Sequence, residues 1–352
     1  MRLLRAVPGP AEGLKAALAG ADLDAVVRDA ARHGLAGVLR HALAEAGVGL
    51  PKAAEEALAH QALAGAAGAM KVKRLLFLAL DALEGQGLRP VLLKGYALAA
   101  RIYPEPLLRP ASDVDLLLAP GDLGAARSAL QGLGLSPKPD SDDFYPKAYR
   151  HHEAFAGPAG LVEVHFRPMA CWGVVWDSAA LLKHAVLGEL DGREVRFLRP
   201  EDELAYLALH AANHLLGRLG WLYDLKLFVR AYPALDWARV VAAALEPGLG
   251  GPAFYALDAA QRLVGADLDA RALEALKPSP LRVAAARALF SEERLLDGFL
   301  AAHKGVWAAA KLLLADSPPR VALFALQRLV WNTRRRRLLG GRAGSRRGPG
   351  SL

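Results

Sequence analysis

The sequence predicts an α+β protein, with a small mixed β-sheet core between helical N- and C-terminal regions, on the following observations. Apolar residues recur at three- and four-residue spacing through the first 84 residues and again after residue 200, the period of amphipathic helices. Between those stretches the chain breaks into short β-rich runs separated by glycine and proline. Two of these runs, Asp113-Val-Asp-Leu and Val162-Glu-Val-His165, alternate acidic or polar with apolar residues. Strand side chains point to opposite faces with period two, so each run presents one polar and one apolar face.

Taken in order, residues 1–84 read as a helical region, with apolar periodicity in Leu14–Leu18, Ala25–Leu43 and Ala53–Leu83 and a break at Gly47–Pro51. Residues 85–200 form the α/β core. It opens at Gly85-Gln-Gly-Leu-Arg-Pro90, and Val91-Leu92-Leu93 is a short strand ending at Lys94-Gly95. A helix follows over Tyr96–Tyr103, then a loop bracketed by Pro104, Pro106 and Pro110, then the strand bearing Asp113 and Asp115. Asp122 starts and caps a helix reaching Leu133, and Leu135–Pro146 is a polar, proline-rich loop. Arg150–Phe155 and Leu161–Phe166 make a hairpin about Gly157-Pro-Ala-Gly160, and Asp191-Gly192 turns a second. Pro200 followed by Glu201, Asp202 and Glu203 begins a helix, because acids suit the positive end of its dipole. Residues 201–339 read as a helical domain and 340–352 as a basic, flexible tail.

Composition narrows the function classes. No apolar run reaches the roughly 18 residues that a membrane-spanning helix needs, and the apolar part of the N-terminus is too short for a secretory signal. The single cysteine, Cys171, excludes an internal disulfide and suits a reducing cytoplasm. The net charge is +8, but the seven arginines between Arg334 and Arg347 account for seven of those charges, so the body is near +1. That tail is either a solvated terminus or a patch for nucleic acid or another anionic partner. Residues 320–331 are amphipathic, which suits a docking helix better than a membrane anchor.

Asp113 and Asp115 share a strand face, and Glu163 and His165 share one on a second strand. Acids set side by side on buried strands need a compensating cation. Asp113, Asp115 and Glu163 thus make a site for one or two Mg²⁺ ions, with Mn²⁺ able to substitute. Asp-x-Asp alone equally fits two solvated acids on an edge strand. Lys94-Gly95, after a strand and before a helix, can bind phosphate, and Arg109 can clamp phosphate or pair with either aspartate. His210, Asn213 and His214 lie on one helical face. A zinc site combining His210 and His214 with His151, His152 or His165 competes with a hydrogen-bonded face beside a cleft.

Leu93-Lys-Gly95, Arg109, Ser112-Asp-Val-Asp-Leu116 and Val162-Glu-Val-His165 together resemble a poorly characterised bacterial nucleotidyltransferase family. That family is similar to a branch of the DNA polymerase β-type nucleotidyltransferases. The Arg32-His-Gly-Leu35 region and a helix from His210 through Asp224 resemble it as well. The resemblance implies that Asp113 and Asp115 are the metal pair and Glu163 the third carboxylate. It places Lys94 and Gly95 at the triphosphate, and Arg109, Ser112, His165 and Asp224 are read beside them as nucleotide contacts, with a supporting or packing histidine the alternative for His165 and a cap on a neighbour the alternative for Asp224. Lys94-Gly95 stands where better-known members have Gly-Ser, so a serine hydroxyl is missing. The implied reaction is transfer of a nucleoside monophosphate from an NTP to a hydroxyl on a small molecule, protein or RNA. The alternatives are a non-catalytic nucleotide- or RNA-binding module and a relative that moves pyrophosphate.

Overall fold

The computed structural model describes residues 2–7, 9, 11–138, 150–299, 303–327 and 330. Five helices come first: α1 (Arg2–Ala6), α2 (Ala11–Leu18), α3 (Leu23–Arg32), α4 (Ala36–Glu45) and the long α5 (Lys52–Glu84). The middle of the chain supplies β1 (Val91–Leu92), α6 (Tyr96–Ile102), β2 (Val114–Leu117), α7 (Leu123–Gly132), β3 (Ser136–Pro137), β4 (His152–Gly157) and β5 (Gly160–His165). It continues with β6 (Met169–Cys171), β7 (Val174–Trp176), α8 (Ala179–His184), β8 (Val186–Leu190) and β9 (Arg193–Phe197). Helices α9 (Pro200–Asn213), α10 (Leu219–Ala231), α11 (Trp237–Leu245), α12 (Gly250–Ala259), α13 (Ala270–Leu276), α14 (Pro280–Leu289), α15 (Glu292–Leu296) and α16 (Lys304–Leu314) follow. The arginine block and most of the predicted loop up to Pro146 lie outside the described residues. Among the described residues no helix is long and apolar enough to cross a membrane.

Seven strands form one mixed sheet in the order β3-β4-β5-β2-β1-β9-β8. The β2–β5 and β1–β9 pairs are parallel, and the remaining neighbours are antiparallel. Period-two alternation makes the sheet two-faced. Val114, Leu116, Val162, Val164 and Phe155 are buried in a core shared with Leu75, Leu76, Ala79 and Leu80 of α5 and Ala126 and Leu130 of α7. On the other side Val91, Leu93 and Leu117 join a larger core that also takes Val7, Leu14, Leu35 and Val38 together with α9, α10 and α12. The N- and C-terminal helices therefore share one hydrophobic core.

Both predicted hairpins form: Gly157 pairs with Gly160, and Leu190 with Arg193 across Asp191-Gly192, whose φ angles of 50° and 82° suit a tight turn. The structure departs from expectation in three places. Asp122 precedes α7 but its side chain makes no cap hydrogen bond. A β6–β7 hairpin turns at Trp172-Gly173 with φ of 51° and 71°, and a tryptophan in the left-handed region carries no sequence signal of a turn. The helix expected from His210 through Asp224 is two helices. It breaks at Leu215-Leu216, both buried and both at positive φ (54° and 55°), so the strain is held by packing.

The Arg32-His-Gly-Leu35 region docks the N-terminal helices onto this break. His33 is buried, its Nδ1 accepts from the Leu219 N–H at 3.3 Å, and its carbonyl accepts from the Gly220 N–H at 3.1 Å. Burial, with the nearby arginines, lowers the His33 pKa to about 4. A histidine depressed in the folded state stabilises fully above its unfolded value of about 6.5 and loses that contribution as pH falls toward 4. Urea denaturation at pH 7 and pH 5 should therefore show wild type losing about 2 kcal/mol more than His33→Gln, which cannot titrate. Equal losses would remove His33 from the acid sensitivity.

Candidate active site

Asp115 lies on β2, the fourth strand from the sheet edge, and pairs in parallel register with Glu163 of β5, two residues before the Leu117–His165 pair. That register puts Asp115, Glu163 and His165 on one face, while Val114, Leu116, Val162 and Val164 hold the other face in the core. Asp113 immediately precedes β2 on the acidic side. Lys94 follows β1, and the Gly95 backbone at φ 67° turns the chain into α6, a conformation that side-chain-bearing residues rarely adopt. The Lys94 ammonium thereby reaches Asp115 Oδ1 at 2.6 Å and stands 3.9 Å from Asp113 Oδ2.

His165 Nε2 lies 3.1 Å from the same Asp115 Oδ1 and 3.6 Å from Glu163 Oε2. Ser112 donates from its hydroxyl to Asp113 Oδ1 at 3.0 Å. Charges divide the acids. Burial alone would raise Asp115, but Lys94 and His165 outweigh it and hold the carboxyl well below the usual range. Glu163 is lowered too: burial opposes ionisation, and the hydrogen bond with His165 overcomes it. Asp113 moves the other way, raised by burial and by the charge of Asp115 beside it. Burial would lower Lys94, yet Asp115 and Asp113 keep it protonated with a raised pKa.

The opposite wall comes from the α9–α10 break. His210 and His214 have ring centroids 4.7 Å apart, and Trp221 lies 5.1 Å from the first and 5.0 Å from the second. Lys311 of α16 bonds the Asn213 carbonyl and donates to its Oδ1 at 2.6 Å, tying down the end of α9. Tyr206 is buried, and its hydroxyl is raised well above the ordinary value by burial and by Asp115 and Glu163. Tyr206, His210, Asn213, His214 and Trp221, with His151, His152, Arg218 and the acids, line a cleft of about 440 Å³. That is ample for a small polar ligand.

The structure brings Asp113, Asp115, Glu163, His165, Lys94, Gly95 and Ser112 to this cleft. Arg109 also touches it, but its guanidinium forks onto Asp224, Nε to Oδ1 and Nη2 to Oδ2, each 2.9 Å. Tyr103 donates to the same Asp224 oxygen at 2.7 Å. Arg109 thus pairs with Asp224 and not with Asp113 or Asp115, and both partners are buried. Tyr206 and Arg218 carried no pattern in the sequence. They are placed by the packing of α9 and by the strained turn, neither of which a single motif encodes.

Asp115, Glu163 and His165 each offer one atom within 4.8 Å of the others, a donor set suited to a divalent cation. Asp115 Oδ2 is buried without a hydrogen-bond partner, so the residues fit a metal there. His210 and His214 fall outside the clusters of metal donors found among the described residues.

Residues 19–265, which span every residue lining the cleft, match the family model described as uncharacterised nucleotidyltransferase. The chain belongs to this family. As a nucleotidyltransferase it is a transferase, acting on a nucleotide and an acceptor. No curated protein matches it. It is similar to the solution structure of the antibiotic-resistance factor ANT(2'')-Ia, at 17% identity and a TM-score of 0.36, over 50% of this chain and 90% of that one. It is similar also to the crystal structure of ANT(2'')-Ia in complex with adenylyl-2''-tobramycin, at 16% identity and 0.37, over 49% and 94%.

Proposed function

We propose that this nucleotidyltransferase moves a nucleoside monophosphate from an NTP to a hydroxyl of its acceptor, releasing pyrophosphate, in a reaction dependent on Mg²⁺ or Mn²⁺. The observation that carries the reading is the Asp115–Glu163 register, which sets carboxylates from two parallel strands side by side in a cleft with Lys94. Asp113, Asp115 and Glu163 are the groups that would hold the ions, and the orphaned Oδ2 supports a cation at Asp115. When bound, such ions lower the pKa of an attacking hydroxyl and neutralise charge on the leaving phosphates.

The remaining steps belong to the chain's own residues. The acceptor oxygen bonds to the α-phosphorus as the α–β bridging bond breaks, its electron pair leaves on pyrophosphate, and the hydroxyl proton passes to solvent. Lys94 is the counter-charge to Asp115, and with a cation on that carboxylate its ammonium would be available to a phosphate oxygen. Gly95 gives the turn that aims Lys94, and Ser112 orients Asp113. His165 fixes Asp115 and Glu163 against each other. Arg109 and Asp224 serve by stapling the chain before β2 to α10, which positions the cleft walls. The single buried cysteine supports a reducing, cytoplasmic setting.

Incubating the protein and cell extract with NTPs labelled at the α- or the γ-phosphate, with and without Mg²⁺, tests this reading. Label from the α position should move to one acceptor only when Mg²⁺ is present, with equimolar pyrophosphate. Transfer of γ label, or release of AMP in place of pyrophosphate, overturns it.

A further inference from the structure

Beside the carboxylates, two more imidazoles stand next to His165, and one of them, His152, lies with Nε2 3.9 Å from Glu163 Oε1. His152 begins β4 and pairs across the antiparallel ladder with His165 of β5, while His151 immediately precedes it. The ring centroids of His151, His152 and His165 are separated by 4.4, 5.1 and 5.7 Å. One ring nitrogen from each lies within 4.8 Å of the other two, which is the reach of three ligands about a single ion. A chain that merely needed polar cover at a cleft edge has no reason to converge three imidazoles in this way.

We propose that His151, His152 and His165 form a second metal site, selective for a borderline divalent transition ion of the Zn²⁺ class, next to the carboxylate site. Donor chemistry sets the selectivity. Imidazole nitrogen suits Zn²⁺ and Co²⁺, whereas Mg²⁺ demands hard oxygen in octahedral array. Three protein ligands leave a position for water or a substrate oxygen, the pattern of open zinc sites. His165 supports both assemblies: its Nδ1 is buried with no hydrogen-bond partner, while its Nε2 faces Asp115 and Glu163. A buried polar atom without a partner is a place where an ion or water is expected. The site stands on these three residues and does not require that nucleotide transfer occur.

Adding Co²⁺ alone to the untagged, metal-free full chain gives a readout without turnover. One equivalent should produce the visible absorption of nitrogen-ligated Co²⁺ in low coordination, and Zn²⁺ should displace it while millimolar Mg²⁺ does not. His151→Ala and His152→Ala should each weaken Zn²⁺ binding at least about 100-fold, since even a supporting residue outside the ligand shell is worth 10–100-fold. Asp113→Asn should keep the Co²⁺ spectrum. X-ray absorption on the Zn²⁺-loaded wild type covers the case in which a histidine variant fails to fold: imidazole scatterers support the site, and an oxygen-only shell overturns it. Unchanged Zn²⁺ affinity in folded His152→Ala overturns it as well. A chain that keeps the spectrum yet transfers no nucleotide refutes the proposed function and leaves this site standing.

Discussion

Asp113→Asn should lower nucleotidyl transfer by about 10³-fold or more while leaving the melting temperature of the protein unchanged or slightly raised. A metal-holding carboxylate supports several kcal/mol of transition-state charge stabilisation, and each 1.36 kcal/mol is tenfold in rate. Stability should survive because the Asp113 side chain is 24% exposed and its pKa is raised by burial and by Asp115. Removing its charge therefore relieves repulsion. Asp115→Asn is the poorer probe. Asp115 is fully buried against Lys94 and His165, and neutralising it strands the Lys94 ammonium with much of its counter-charge gone. Breaking such a pair destabilises by about 3–5 kcal/mol, so lost activity and lost fold would be confounded. Single-turnover rates with α-labelled NTP, read beside thermal melts, make the comparison. Turnover within tenfold of wild type in Asp113→Asn would remove the acid from the reaction.

Arg109→Met should destabilise the protein by about 3–5 kcal/mol, because it leaves the Asp224 carboxylate buried without its cation. The Arg109–Asp224 fork is buried and both carboxylate oxygens are engaged, with Tyr103 as a third partner. Asp224→Leu should cost a similar amount. The double variant should lose much less than the two singles together, because a buried pair replaced by apolar groups is often neutral. Urea denaturation of the four proteins at pH 7 measures the coupling. An Arg109→Met protein that unfolds like wild type but has a raised KM for NTP would return Arg109 to the nucleotide as a direct phosphate ligand.

The acidic cluster was legible because it rests on local rules. Alternation with period two decides which side chains of Asp113-Val-Asp-Leu and Val162-Glu-Val-His share a face, and a buried apolar face on one side forces the acids to the other. The β-turn chemistry of Gly157–Gly160 and Asp191-Gly192 and the Pro200 helix start are similarly local. The Trp172-Gly173 turn was not legible, since a tryptophan at φ 51° is tolerated only by its surroundings. Leu215-Leu216 hid the end of α9 for the same reason: leucines favour helix, and packing overrides them.

The sequence by itself determined the α+β character, the two acidic strands and the Lys94-Gly95 turn, because each follows from spacing along a few residues. Only the tertiary structure decided that β2 and β5 are parallel neighbours with Asp115 opposite Glu163. It alone gave Arg109 to Asp224 across 115 residues, and it alone closed His151, His152 and His165 upon one another. Strand order, long-range charge pairing and the convergence of imidazoles depend on which surfaces meet when the chain collapses, and no local pattern carries that information.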